Sequence, residues 1–318
     1  MIKSKEKNMI FDYNVLDDSE KLIYALRSLY RQAGFTQYRM SKFEEYDLYS
    51  KNKDFLVSEN IITFTDTNGK LMALKPDVTL SIIKNNGDEA DKLKKLCYNE
   101  NVYRVSAGSG SFGEIAQSGV ECIGDVDDKC ISDVIELALS SLALTGENFV
   151  LELSQLDILA KAISRMTDDE SIKRQILEYV SAKNVHDLEK LCNDNPARKG
   201  NCKLLIRLLG LYGTPSEVLP KLEELCEDAG LYEEYSRFEK VLKPLEGKAN
   251  ADAIRIDFSL ADNMNYYNGI IFKGFVEGIP ESVLSGGQYD SLMKRMDKES
   301  RGIGFAVYLE NLEGISID

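Results

Sequence analysis

The residues best placed to do chemistry lie between Gly108 and Gly124, in the stretch "GSGSFGEIAQSGVECIG". Gly108, Gly110 and Gly113 spell G-x-G-x-x-G, the spacing of a loop that lets backbone N–H groups approach phosphate. A kinase needs a catalytic H-R-D and a D-F-G besides, and this chain has neither. A dinucleotide site needs a helix after the glycines, whereas the residues after Gly113 alternate polar and apolar like a strand. Both nucleotide readings fall, and the glycines are expected to form a flexible hairpin tip. The strand that follows says more. With a period of two, Gln117, Gly119 and Glu121 share one face: an amide and a carboxylate flank a position without a side chain, where something else could lie against the backbone. Arg104 stands on the preceding strand of the same hairpin. An edge strand with a solvated polar face would look the same.

Composition removes several function classes. The 318 residues carry a net charge of −14, which opposes binding to a polyanion, and no dense Lys/Arg cluster offsets it. Nucleic acid is not an expected partner; a protein or a small ligand is. The only histidine, His186, lies in the polar stretch "SAKNVHDLEK" and is expected to face solvent, so histidine-based triads and metal sites are unavailable. Six scattered cysteines with no C-x-x-C (Cys97, Cys122, Cys130, Cys192, Cys202 and Cys226) read as buried free thiols. The segment "MIKSKEKNMIFDYNVLDD" lacks the apolar centre of a signal peptide, and no apolar run is long enough to span a bilayer. A cytoplasmic protein without a membrane role is expected.

The elements that must position these residues can be read from periodicity. "DSEKLIYALRSLYRQAGF" spaces Leu22, Ile23, Leu26, Leu29 and Tyr30 as a helix ending at Gly34. "ENIITFTDTNGKLMALKPD" is a hairpin turned at Asn68-Gly69, and Pro76 suits the first turn of a following helix, which puts Asp77 and Thr79 at the strand–helix junction. "DKCISDVIELALSSLALTG" is an amphipathic helix and "FVLELSQ" a strand. Thr167 and Glu170 have capping-box spacing and open a charged, helical block running to about Pro244. Strand patterning returns in "AIRIDFSL", "NYYNGIIFKGFV" and "SVLSGGQYDSL". The expected architecture is α+β: an antiparallel sheet flanked by helices, built from residues 1–165 and 251–318, with a helical insertion at 166–250.

Five stretches in order resemble class II aminoacyl-tRNA synthetases in their histidyl form. "YNENVYR" with "IAQSGVECIG" resembles the second class signature, and "GIGFAVYLENL" the third. "LMALKPDVT", "NMNYYNGIIFKGF" and "SGGQYDSLMKRM" resemble the histidyl L-R-P-[DE]-x-T, R-G-L-D-Y-Y-N and G-G-R-Y-D-x-L segments. The likeness spans nearly the whole chain and implies a class II synthetase-like sheet. It also implies a histidine pocket. Asp77, Thr79 and Gln117 would receive the α-ammonium, Glu121 and Tyr267 would read the imidazole N–H groups, Tyr266 and Tyr289 would wall the site, and Arg104 would meet the carboxylate. Charge-assisted bonds from a partly buried carboxylate and an apolar tyrosine wall suit such a ligand.

The departures from that pattern concern the cations of amino-acid activation. Asp262 stands where the histidyl enzymes carry the arginine that promotes adenylation, Asn311 where the third motif has its ATP-holding arginine, and Ser106 where an acid follows the second motif's arginine. The second-motif loop "SAGSGSFGE" lacks basic residues, and the first motif's proline is replaced near Met40-Ser41. Negative charge developing on a transferring phosphate requires cations, and an aspartate repels it. The chain also runs only a few residues past the third motif, without room for an anticodon-binding domain. A synthetase core with the pocket kept and these cations lost is similar to the regulatory subunits of ATP phosphoribosyltransferase. That resemblance implies a non-catalytic protein with no cofactor and no metal, pairing with a short catalytic subunit as a hetero-octamer, forming a homodimer through its core and transmitting feedback by L-histidine. The rival readings are a divergent adenylate-forming ligase acting on a non-tRNA acceptor, and a structural partner with a vestigial pocket.

Overall fold

The first helix shows how local chemistry sets the boundaries. In this computed structural model Asp17 accepts the backbone N–H of Glu20, and the Glu20 carboxylate accepts that of Asp17, a capping box that opens α1 (Asp18–Gln32). Leu22, Leu26 and Tyr30 are its buried stripe, and Gly34, at φ +87°, ends the turn beyond it. The structure describes residues 15–53, 56, 61–105, 111–193, 199–261, 264 and 266–315.

After α1 come β1 (Thr36–Gln37), β2 (Phe43–Glu45) and α2 (Tyr46–Ser50), then the hairpin β3 (Thr63–Thr65) and β4 (Leu71–Leu74). Gly69 takes the positive φ its turn requires. Pro76 precedes the helix rather than opening it, because Asp77 is the N-cap of α3 (Val78–Asn85) and accepts the N–H of Leu80 at 2.8 Å. The two long strands β5 (Lys94–Val105) and β6 (Phe112–Gly124) pair antiparallel along their whole length. Gly108 and Gly110 lie outside the described residues, and Gly113 is already in β6, opposite Arg104.

Next are α4 (Asp128–Ala143), β7 (Phe149–Gln155) and α5 (Leu156–Ser164), followed by the helices α6 (Glu170–Ser181), α7 (Val185–Asn193) and α8 (Lys199–Leu209). A two-residue strand, β8 (Tyr212–Gly213), interrupts this block before α9 (Pro215–Ala229) and α10 (Tyr232–Leu242). The cap of α6 is Asp169, which accepts from Ser171 and Ile172; the expected Thr167 instead accepts the N–H of Asp169. An acid aimed at the positive helix end displaces the hydroxyl two residues earlier. His186 is exposed on α7, as its polar surroundings predict. The expectation of free thiols fails at two of six positions: Cys192 of α7 and Cys202 of α8 are disulfide-bonded, while Cys97, Cys122, Cys130 and Cys226 are free and buried. Packing of α7 on α8 brings together sulfurs that lack any short-range sequence motif.

The chain closes with β9 (Ile254–Asp257), β10 (Ile270–Val276), β11 (Leu284–Gln288), α11 (Asp290–Arg295) and β12 (Arg301–Tyr308). Among the described residues, nine strands make one sheet in the order β1-β5-β6-β12-β11-β10-β7-β9-β8, and β2, β4 and β3 make a small second sheet. Pairs in the nine-stranded sheet are antiparallel except β1–β5 and β7–β9. A mainly antiparallel sheet with flanking helices is the α+β arrangement expected. One apolar cluster joins Leu26 and Tyr30 of α1, Val120 and Cys122 of β6, and Ile135 of α4; a second joins Tyr98, Ile123, Leu80 of α3 and Tyr289. Odd and even residues of β5 and β6 therefore serve opposite faces of the sheet. No described helix is long and apolar enough to cross a membrane.

Candidate functional site

A cavity of about 220 Å³ lies on the face of the sheet shared by β5, β6 and β12, beneath the start of α3. Asp77, Thr79, Arg104, Gln117, Glu121, Tyr266, Tyr267 and Tyr289 all border it, so the structure brings together the eight residues that the resemblance assigned to a pocket. They come from four separate parts of the chain.

Glu121 forms the floor. It pairs across the sheet with Gly304, and a Cβ at position 304 would collide with the Glu121 carboxylate and the Val120 carbonyl, so only glycine admits the acid there. The Thr79 hydroxyl donates to Oε1 of Glu121 at 2.6 Å, and the Tyr289 hydroxyl donates to Oε2 at 2.6 Å. With a relative exposure of 2%, burial pushes the Glu121 carboxyl up to about 8; the two hydrogen bonds oppose the rise and the nearby Asp77 adds to it. Asp77 is also buried, and burial raises its pKa against the Leu80 N–H and the Arg104 charge. Arg104 is anchored by donating from Nε to the Pro76 carbonyl at 3.0 Å.

Three tyrosines make the wall. Tyr266 and Tyr267 have ring centroids 4.7 Å apart, and Tyr266 meets Tyr289 edge-on at 6.3 Å. Burial raises the pKa of all three, keeping them neutral donors. Two buried acids, a guanidinium and neutral phenols around one small space suit a zwitterionic ligand carrying N–H donors.

Sequence reasoning missed other wall residues. The room expected beside Gly119 is taken by Tyr98: a Cβ at 119 would sit 2.5 Å from the Tyr98 ring and hydroxyl. The signal was present, because Tyr98 shares the even parity of Arg104 on β5 and pairs with Gly119. Lys273 of β10, paired with Ser285 of β11, also borders the cavity, as does Tyr308. A lysine within the apolar run "GIIFKGF" was the available hint. Asn311 donates from Nδ2 to the Ser282 carbonyl at 2.9 Å. Asp262 and Ser106 lie outside the described residues.

The family model for histidyl-tRNA synthetase matches residues 15–312. The ATP phosphoribosyltransferase regulatory subunit of Caldanaerobacter subterraneus subsp. tengcongensis is 32% identical over 296 residues, covering 90% of this chain and 75% of that protein. Among solved structures, an ATP phosphoribosyltransferase regulatory subunit/histidyl-tRNA synthetase from Bacillus halodurans C superimposes with a TM-score of 0.81 at 20% identity, over 99% of this chain and 84% of that one. A chain of the ATP phosphoribosyl transferase (HisG:HisZ) complex from Thermotoga maritima gives 0.68 at 18%, over 92% and 97%. At these identities the two structures attest the fold.

Proposed function

This chain belongs to the histidyl-tRNA synthetase-like family of ATP phosphoribosyltransferase regulatory subunits, and from that premise we propose that it is a non-catalytic, histidine-sensing member of it. In this reading it works in the cytoplasm, pairs with a short catalytic subunit in a hetero-octamer, and forms a homodimer through the core of residues 1–165 and 251–318, with residues 166–250 as a helical insertion that shares the core's apolar cluster and adds β8 to its sheet. L-histidine occupies the cavity over β6. Its α-ammonium meets Asp77, Thr79 and Gln117, its imidazole meets Glu121 and Tyr267 between Tyr266 and Tyr289, and its carboxylate faces Arg104.

The observation that carries the proposal is the convergence of those eight side chains on one small cavity with a buried acid at its floor. Asn311, tied to the Ser282 carbonyl, supports a loss of the cation chemistry that adenylation requires. The same site deepens into a regulatory device because ligand binding and partner binding are reciprocal. Whatever histidine does to the affinity of the complex, the complex does to the affinity for histidine.

The test is thermal unfolding of the isolated protein with each of the twenty amino acids. A ligand at about a hundred times its dissociation constant adds roughly 2.7 kcal/mol to stability, enough to move the midpoint by a few degrees. Stabilisation by histidine alone is the expected result. No shift with any amino acid would favour a purely structural partner with a vestigial pocket.

A further inference from the structure

Behind β6, on the face opposite Glu121, lies a second cavity of about 300 Å³, bordered by Phe35, Lys95, Cys122, Cys130, Asp133 and Glu136. Its two cysteines come from different elements. Cys122 sits on β6 and pairs with Lys95 of β5, so strand register places a thiol and an ammonium on one face. The Lys95 ammonium lies 5.5 Å from the centroid of the Phe35 ring. Cys130 is in the first turn of α4, its backbone N–H donating 2.7 Å to the capping Asp127 carboxylate. The two thiols face one space and each perturbs the ionisation of the other.

The pair is chemically unequal. The neighbouring Cys122 thiol and the charge of Lys95 lower the Cys130 pKa against burial and the charges of Asp127 and Asp133, and the helix N-terminus favours the same anion. The neighbouring Cys130 and burial push Cys122 well up. Cys97 and Cys226 are both raised, chiefly by burial. Cys130, at the N-terminus of α4 on a cavity that Lys95 also borders, is the thiol placed to attack, and Cys122 borders the same space from the adjoining strand, placed to resolve.

We propose that Cys130 and Cys122 form a reactive dithiol that a small disulfide oxidises through this cavity. The Cys130 thiolate attacks one sulfur of the reagent; a Cys130–reagent bond forms, the reagent's S–S bond breaks, and the departing thiolate takes a proton from water. Cys122 then gives up its proton to solvent and attacks the Cys130 sulfur, expelling the second reagent thiol. The protein loses two electrons and two protons, and one disulfide becomes two thiols.

The experiment treats the full-length protein with bis(2-hydroxyethyl) disulfide, alkylates remaining thiols and maps the peptides by mass. The expected result is a Cys122–Cys130 linkage in the wild type, a reagent adduct held on Cys130 in Cys122→Ser, and an unmodified Cys122 in Cys130→Ser. In a separate rate measurement Cys130 should alkylate roughly tenfold faster than Cys97. Recovery of both cysteines as free thiols from the wild type, while the reagent modifies Cys97 or Cys226, would overturn the proposal without relying on any variant. So would a Cys122 that reacts equally in Cys130→Ser.

Discussion

Replacing Glu121 by glutamine should flatten the pH dependence of the unliganded protein's stability. The glutamate's ordinary value of 4.5 is raised to about 8 by burial, so the folded state holds its proton more tightly than the unfolded chain. The stabilisation is complete below about pH 4.5 and is lost as the pH climbs through about 8. With those two values, the group lowers stability by about 1 kcal/mol at pH 5 and about 4 kcal/mol at pH 8, relative to full protonation, a change of roughly 3 to 4 kcal/mol. An unfolding entropy near ~2.1 cal/mol/K per residue over 318 residues converts that to a fall in midpoint of roughly 5 °C. Glutamine keeps the shape and stays neutral: one facing hydroxyl can donate to its carbonyl oxygen while the other accepts from its NH2. Asp77, also raised, adds a slope of the same sign to both proteins. The readout is therefore the difference between the two slopes in calorimetric scans from about pH 5 to pH 8, not the absolute midpoints. Equal slopes in the wild type and Glu121→Gln would refute the claim that this carboxyl is protonated in the empty cavity.

Three further outcomes follow from the same geometry. Glu121→Ala should weaken histidine binding by roughly 1.5–3 kcal/mol, the loss of a charged, buried hydrogen bond, with a native circular dichroism spectrum; unchanged affinity in titration calorimetry would remove Glu121 from the ligand's contacts. Gly304→Ala should cost about 1–3 kcal/mol by overpacking and abolish amino-acid stabilisation, because the new methyl meets the Glu121 carboxylate and the Val120 carbonyl; a fully stable variant that still responds to histidine would contradict the collision. Lys75 is wholly buried and donates to Glu100 at 2.8 Å, so Lys75→Met should cost roughly 3–5 kcal/mol by stranding the acid, with much of the loss recovered in the Lys75→Met/Glu100→Leu double variant. Denaturant unfolding checks this, and equal losses in single and double variants would argue that the pair is not coupled.

The alternation of Gln117, Gly119 and Glu121 was legible because a strand's period is local, and so were the face that Arg104 shares and the hairpin at Asn68-Gly69. The meeting of Thr79 and Tyr289 on Glu121 was not, since they lie 42 and 168 residues away along the chain. Only the resemblance to a known family joined those positions; pattern alone left a solvated edge strand equally open. What Gly119 accommodates was misjudged for a related reason. Parity says which residues share a face, but the partner that fills a gap is set by pairing between strands, and here it is Tyr98. The Cys192–Cys202 bond and the Asp169 cap show the same division. Each residue type was visible, while the choice among competing sites depended on helix packing and on which oxygen reaches the free N–H groups first.

β6 also behaves as a reading frame. Twelve of its residues are matched to β5 and eight to β12, and that double alignment decides which alternate letters are read toward which side. Shifted by one place, the same residues would present Cys122 to the tyrosine-walled space and drive the Glu121 acid in among Tyr30, Ile135 and Lys95. The pocket's identity is thus encoded in its neighbours' alignment as much as in its own residues. A change in a flanking strand that touches neither cavity can still corrupt the message in both.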